Sequence, residues 1–292
     1  MVLWRRQRRR REPPVPDSAV TVACCQVPLA VAEPARNWRV LREAVEQAAS
    51  AGADVVVLPE LANSGYVFRD RAEAEALAET TDGPTVAEWA DLADDHRLVI
   101  VGGLCERDAE GRLRNTAVIV DPSGLRAVCH KAHLWGAEKQ LFVAGDELPV
   151  VVETAVGRIG AMVCYDLEFP EWVRVAALQG TQLLCAPANW PRFPRPTGER
   201  PSEIVRVQAD AAVNRMFIAV CDRVGDERGT RWTGGSVVAG PDGFLAAGPV
   251  PDYGSGIVMA RCDLAEAQDK RLGEHNHVLS DRRPELYRSL VI

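Results

Sequence analysis

The chain has no C-x-x-C pair, no histidine cluster, no low-complexity linker and no apolar run long enough to span a bilayer. Each absence excludes something. The eight cysteines, Cys24, Cys25, Cys105, Cys129, Cys164, Cys185, Cys221 and Cys262, are scattered, which argues against a zinc ribbon or a redox dithiol. The five histidines are scattered too. His275 and His277 form an isolated H-x-H that reads as surface, and no histidine is placed to serve a papain-like cysteine. No cofactor and no metal are therefore expected. A membrane span needs about 20 apolar residues, so no membrane association is expected. Without a secretory segment, most of the thiols, set in apolar runs, are expected to stay reduced in a cytoplasm.

What is present is unevenly charged. Residues 1–12 hold six arginines against one glutamate, so the remainder carries about −12 of a net −7. That acidic body discourages nucleic-acid binding. Residues 1–17, basic and then proline-rich, are expected to be a disordered tail. No apolar segment follows the arginines, as a twin-arginine export signal would require. Residues 18–292 are read as one enzyme domain: 292 residues at 47% hydrophobic content can fill a single α/β core.

Along that body, strands and helices alternate. Strands are predicted at 20–24, 55–58, 98–104, 182–186, 217–221, 235–239 and 244–247. An amphipathic helix over 37–51 carries Val40, Leu41, Ala44, Val45 and Ala48 and ends at Gly52. Further helices are predicted at 85–96 and 204–213. The runs 116–120 and 125–130 flank Asp121-Pro122-Ser123-Gly124 and read as an antiparallel hairpin. Mixed sheets follow, and periodicity does not choose between a three-layer and a four-layer stack.

Three segments place reactive groups at strand ends. The run 157–163 is a short apolar strand that delivers Cys164, and Pro170 opens a helix to Gln179, closed by Gly180. A thiol at such an elbow is a candidate nucleophile near unpaired helix N–H groups that favour a thiolate. It reads equally as a buried structural cysteine. Val55-Val56-Val57-Leu58-Pro59-Glu60 ends in a carboxylate where open α/β sheets place their chemistry, making Glu60 a candidate base. Lys131, in Cys129-His130-Lys131-Ala132-His133-Leu134-Trp135, is a candidate buried cation. Taken singly, Glu60 reads as a surface or capping acid and Lys131 as a snorkelling side chain.

Together these segments resemble the nitrilase superfamily, the carbon-nitrogen hydrolases with a Glu-Lys-Cys triad. The matching stretches are Leu58-Pro59-Glu60 with Ser64-Gly65-Tyr66, Lys131 to Leu134 with Glu138, and Cys164-Tyr165-Asp166 with Phe169-Pro170-Glu171. Ala186-Pro187-Ala188-Asn189-Trp190, Gly234-Gly235-Ser236 and Pro241-Asp242-Gly243 add to the likeness, which runs from about residue 20 to 287. The resemblance implies an α-β-β-α sandwich of two mixed sheets, with Cys164 as nucleophile and Glu60 as general base. Lys131 and the Tyr165 backbone N–H would be oxyanion donors, and Glu138 a second glutamate beside the triad. It implies hydrolysis of a small aliphatic or amino-substituted amide through a thioester. A nitrile or N-carbamoyl amine stays open as the substrate, and a catalytically idle binding protein is the reading from another class. A homodimer through the helix after the nucleophile is also implied; its Trp172, Val173, Val175, Ala176 and Leu178 are apolar on more than one side.

For the substrate, Glu168 is the clue, because many relatives place arginine there to meet a carboxylate. The reversed charge suggests an ammonium-bearing amide, against the plainer reading of Glu168 as a helix cap. Tyr66, Trp135, Asn189 and Trp190 are the other expected pocket residues. Two departures from the family pattern stand out. Asp210-Ala211-Ala212-Val213-Asn214 replaces an Arg-Ala-x-Glu-Asn pattern, which leaves the pairing there open, and the loop after Trp190 offers Arg192 and Arg195 in place of a histidine.

Overall fold

The computed structural model describes residues 19–290, so the expected N-terminal tail lies outside the described residues. Two six-stranded sheets face each other. The first contains β1 (Ala19–Gln26), β2 (Val55–Val57), β3 (Val99–Arg107), β4 (Leu113–Asp121) and β5 (Gly124–His130). The second contains β6 (Val150–Thr154), β7 (Gly157–Ala161), β8 (Leu183–Pro187) and β9 (Phe217–Cys221). The short pair β10 (Asp226–Glu227) and β11 (Thr230–Arg231) stands apart. β12 (Val237–Ala239) and β13 (Leu245–Ala247) extend the second sheet, and β14 (Gly256–Asp263) returns to the first.

The orders are β14-β1-β2-β3-β4-β5 and β13-β12-β9-β8-β7-β6. In each sheet three neighbouring strands run parallel, β1-β2-β3 and β7-β8-β9, and antiparallel strands flank them. The pairing is mixed, as the alternation of elements predicts, and the predicted β4–β5 hairpin forms with the bulge between Ile119 and Val120.

The layers follow from period-two burial. Val22 and Cys24 of β1 join Val55, Val57, Val99 and Val101 between the sheets, where Cys24 faces Cys185 and Cys221 of the second sheet. Ala23 and Cys25 point the other way, with Val56 and Ile100, onto helices α1 (Pro34–Ser50) and α3 (Pro84–His96). Between these two helices in sequence lies the short α2 (Arg71–Leu77). Trp89 of α3 packs so closely on β3 that a Cβ at Gly102 would sit 2.6 Å from its ring. After the one-turn α4 (Glu138–Leu141), helices α5 (Pro170–Leu178) and α6 (Ser202–Asn214) cover the second sheet through Val173, Ala176, Ile204, Val207 and Ala211. Four layers result.

Several elements were not predicted, among them β14, β6 and α2. β14 pairs with β1 over its full length, from Ala19↔Asp263 to Gln26↔Gly256. Arg261 breaks its apolar run, and only its pairing with a distant strand makes it visible. β6 is a half-exposed edge strand, and α2 is short, set by Asp70 accepting from the Glu73 N–H at 2.8 Å.

Candidate active site

The reactive groups all leave strands that run in one direction. Glu60 follows β2, Lys131 follows β5, Cys164 follows β7 and Asn189 follows β8, so the carboxyl ends of both sheets converge. Tight backbone packing makes room for them. A Cβ at Gly103 would lie 2.4 Å from the Glu60 Cα, and Leu61 takes φ 47° in the turn beside it.

Lys131 is fully buried between two carboxylates. Its Nζ donates to Glu60 Oε1 at 2.7 Å and to Glu138 Oε1 at 2.8 Å. Asn115 Nδ2 bridges the same two oxygens at 2.7 and 3.3 Å. Glu138 is fully engaged: it also accepts from Tyr66 Oη at 2.5 Å and from the Trp135 N–H at 2.9 Å. Such a carboxylate holds Lys131 in place. Glu60 differs. Its Oε1 is saturated, whereas its Oε2 is buried without a partner.

One cation facing two buried carboxylates decides the charges. Burial pushes the Glu60 carboxyl up from its ordinary 4.5 to about 7; Lys131 opposes this and the Glu138 charge adds to it. Burial works against the Lys131 ammonium, but the two carboxylates outweigh it and hold its pKa above the ordinary range. Cys164 is pushed well above the usual thiol value, first by burial and then by the Glu60 charge, with Lys131 pulling the other way. That shift opposes the helix-stabilised thiolate expected from the sequence. Cys164 is buried, and it opens a 3₁₀ turn (Cys164–Glu168) ahead of α5. A positive φ of 45° marks it as a strained residue.

Asp166 ties this turn to the lysine strand. It accepts from the Val163 N–H at 3.1 Å, from the His133 N–H at 2.9 Å, and faces His133 Nδ1 at 2.8 Å. His133 stacks on Phe169 with ring centroids 3.7 Å apart.

Cys164 opens onto a cavity of about 40 Å³ lined by Trp135, Tyr165, Glu168, Asn189, Trp190, Phe193 and Glu203. Four of the five expected pocket residues are there. Tyr66 is not: it supports Glu138 from an adjoining cavity and packs edge-on against Trp232 at 5.3 Å. Glu168 is on the wall, but it is ion-paired with Arg206 of α6, which also lies 3.7 Å from Glu203. The free acid expected there is thus corrected to a bridged one. Arg206 also answers the open question about the Asp210 to Asn214 stretch. It supplies a charge partner one turn earlier, while Asn214 Nδ2 bonds the Asp210 carbonyl at 2.9 Å. Arg192 bonds the Arg231 carbonyl through its backbone N–H, and Arg195 lies over Tyr253 at 4.9 Å, away from the thiol.

Asn115, Asp166, Glu203 and Arg206 were missed. Asn115 had one signal, a polar residue inside the apolar run of β4. The others are ordinary surface-type residues in sequence.

Residues 21–272 match the profile described as carbon-nitrogen hydrolase. The chain belongs to that family. It is an enzyme of the amidase-like branch of the nitrilase superfamily. Among its relatives, a protein named nitrilase from Pyrococcus abyssi is 33% identical over 271 residues, 92% of this chain and 99% of that one. A 2-oxoglutaramate amidase from Bacillus subtilis is 31% identical, covering 91% and 99%. A solved structure of a glutamate variant of the amidase from Nesterenkonia sp. AN1 matches with TM-score 0.76 at 26% identity, covering 95% and 99%. It carries the acetamide moiety of fluoroacetamide added covalently at its active-site cysteine. This carbon-nitrogen hydrolase thus keeps the family's two-sheet architecture along nearly its whole described length.

Proposed function

We propose that this carbon-nitrogen hydrolase cleaves small aliphatic or amino-substituted primary amides to acid and ammonia through a Cys164 thioester. The observation that carries the reading is the unpaired Glu60 Oε2 in the same buried cluster as the Cys164 thiol, with Lys131 held in place by Glu60 Oε1 and Glu138 Oε1. Glu60 takes the thiol proton as sulfur attacks the amide carbon. The oxyanion forms near Lys131 and the Tyr165 N–H, which has no acceptor within its own turn. The C–N bond breaks, Glu60 returns the proton to the departing ammonia, and a thioester remains. Water, deprotonated by Glu60, then releases the acid and restores the thiol.

Because Glu60 must be ionised to act as base and its carboxyl is raised to about 7, kcat/KM should rise about tenfold per pH unit below 7 and level off above it. An unperturbed glutamate would place that rise near pH 4.5. A profile flat from pH 5 to 7 would contradict Glu60 as the base.

A bound water needs about 10–15 Å³ of such volume, so the cavity of about 40 Å³ beside the thiol fits a compact amide head, and larger cavities adjoin it at Phe193 and Trp135. Two wall carboxylates, Glu168 and Glu203, share one guanidinium, leaving the rim net negative. That disfavours carboxylate-bearing amides, the kind the name of the Bacillus relative describes, and tolerates an ammonium. Ammonia release across neutral, cationic and anionic amides, nitriles and N-carbamoyl amines tests this. Neutral and cationic amides should lead; preferred turnover of an anionic amide or of a nitrile overturns it.

We also read the protein as a homodimer in a reducing cytoplasm. The eight free cysteines are all buried. Leu178 of α5 and Val205 and Val213 of α6 are large apolar groups exposed on the outer layer. Sedimentation equilibrium at micromolar concentration should give twice the chain mass; a monomer would contradict this.

A further inference from the structure

The Asn189 side chain is half satisfied, and its orientation is set. Its Nδ2 donates to the Glu60 backbone carbonyl at 3.0 Å, a contact only the amide nitrogen can make. Its Oδ1 is consequently fixed as an acceptor. That oxygen is buried and has no hydrogen-bond partner, in a residue that lines the same cavity as Cys164. The Asn189 main-chain carbonyl lies 3.9 Å from the sulfur, so the residue sits directly beside the reacting atom. Glu60 Oε2 is a second buried acceptor without a donor. Buried acceptors of this kind cost free energy unless something donates to them.

A primary amide brings two N–H donors on the atom that will leave, and Asn189 Oδ1 and Glu60 Oε2 are two buried acceptors there that lack a donor. Esters and nitriles bring none. Resting on the thioester reading above, we propose that Asn189 Oδ1 accepts an N–H from the scissile nitrogen and so makes this site selective for amides over esters and nitriles. Asn189 is on this view a specificity-determining residue. It orients the nitrogen while the proton goes from the Cys164 thiol to Glu60 and then to the leaving group. The C–N bond breaks as the thioester forms, and the acceptor keeps nothing.

The test compares a short aliphatic amide with the p-nitrophenyl ester of the same acid, which passes through the same thioester. In Asn189→Ala, kcat/KM for the amide should fall about ten- to hundredfold, the range expected for losing one buried acceptor. Ester acylation should change less than about threefold, and it reports that the protein is folded with its nucleophile intact. Asn189→Ser, whose hydroxyl can donate but does not reach the Oδ1 position, should show the same selective loss if the alanine variant does not accumulate. Equal losses on amide and ester in either variant would make Asn189 a structural strut and overturn the proposal, leaving the amidase reading in place. Wild-type protein that turns over the ester but no amide would instead overturn the amidase reading itself.

Discussion

Cys164→Ala is expected to lose ammonia release entirely, by at least about four orders of magnitude, since removing a nucleophile leaves only residual binding and polarisation. Nothing nearby can replace the sulfur. None of the other seven cysteines lines the cavity, and Cys105, Cys129 and Cys185, for instance, have thiols pushed well above the usual range, chiefly by burial. The substitution removes one weakly bonded atom, whose nearest acceptor is 3.9 Å away, so the melting temperature should move by no more than a few degrees. A folded alanine variant that still released ammonia at the wild-type rate would remove the cysteine from the reaction.

Lys131→Ala should fail in two ways at once. Loss of one oxyanion donor typically lowers kcat by about 10²–10³. Loss of the cation also leaves Glu60 and Glu138 facing each other in a dry site, and breaking a buried ion pair from one side costs about 3–5 kcal/mol. Activity and thermal stability are therefore expected to fall together. The double variant Lys131→Ala/Glu138→Gln separates the two effects. Removing one of the two facing carboxylates should restore part of the stability and none of the activity. Were stability unchanged in the single variant, the charge-balance account of the site would be wrong, because nothing else in the described structure neutralises that pair.

How much of this was legible in the sequence depends on the range of the contact. Helices α1, α3 and α6 and the β4–β5 hairpin were readable because their apolar spacing and turn residues are local. Glu60, Lys131 and Cys164 were visible as candidates because each ends an apolar strand, a local feature, and the resemblance to the nitrilase superfamily singled them out. Their mutual arrangement is not local: Lys131 and Glu60 are 71 residues apart. The same limit hid β14, whose partner lies at the other end of the chain. It also hid Arg206, which takes the Glu168 carboxylate from 38 residues away and turns an apparent free acid into a bridged one. Charge state was the least legible property. A cysteine before a helical turn suggests a thiolate, but the burial of Cys164 and the Glu60 charge push its thiol the other way. Tyr66 shows a similar limit: an aromatic near the triad reads as a wall of the pocket, whereas the structure places it in an adjoining cavity with its hydroxyl on Glu138.

The account's central claim is a covalent acyl-enzyme on one residue. Wild-type protein turning over a short aliphatic amide should be quenched in acid and digested, and the peptide carrying Cys164 weighed. The account predicts that this peptide gains the mass of the acyl group, that hydroxylamine removes it, and that Cys164→Ala never shows it. Steady turnover with the acyl mass on another residue would contradict it, as would a wild-type level of ammonia from the alanine variant.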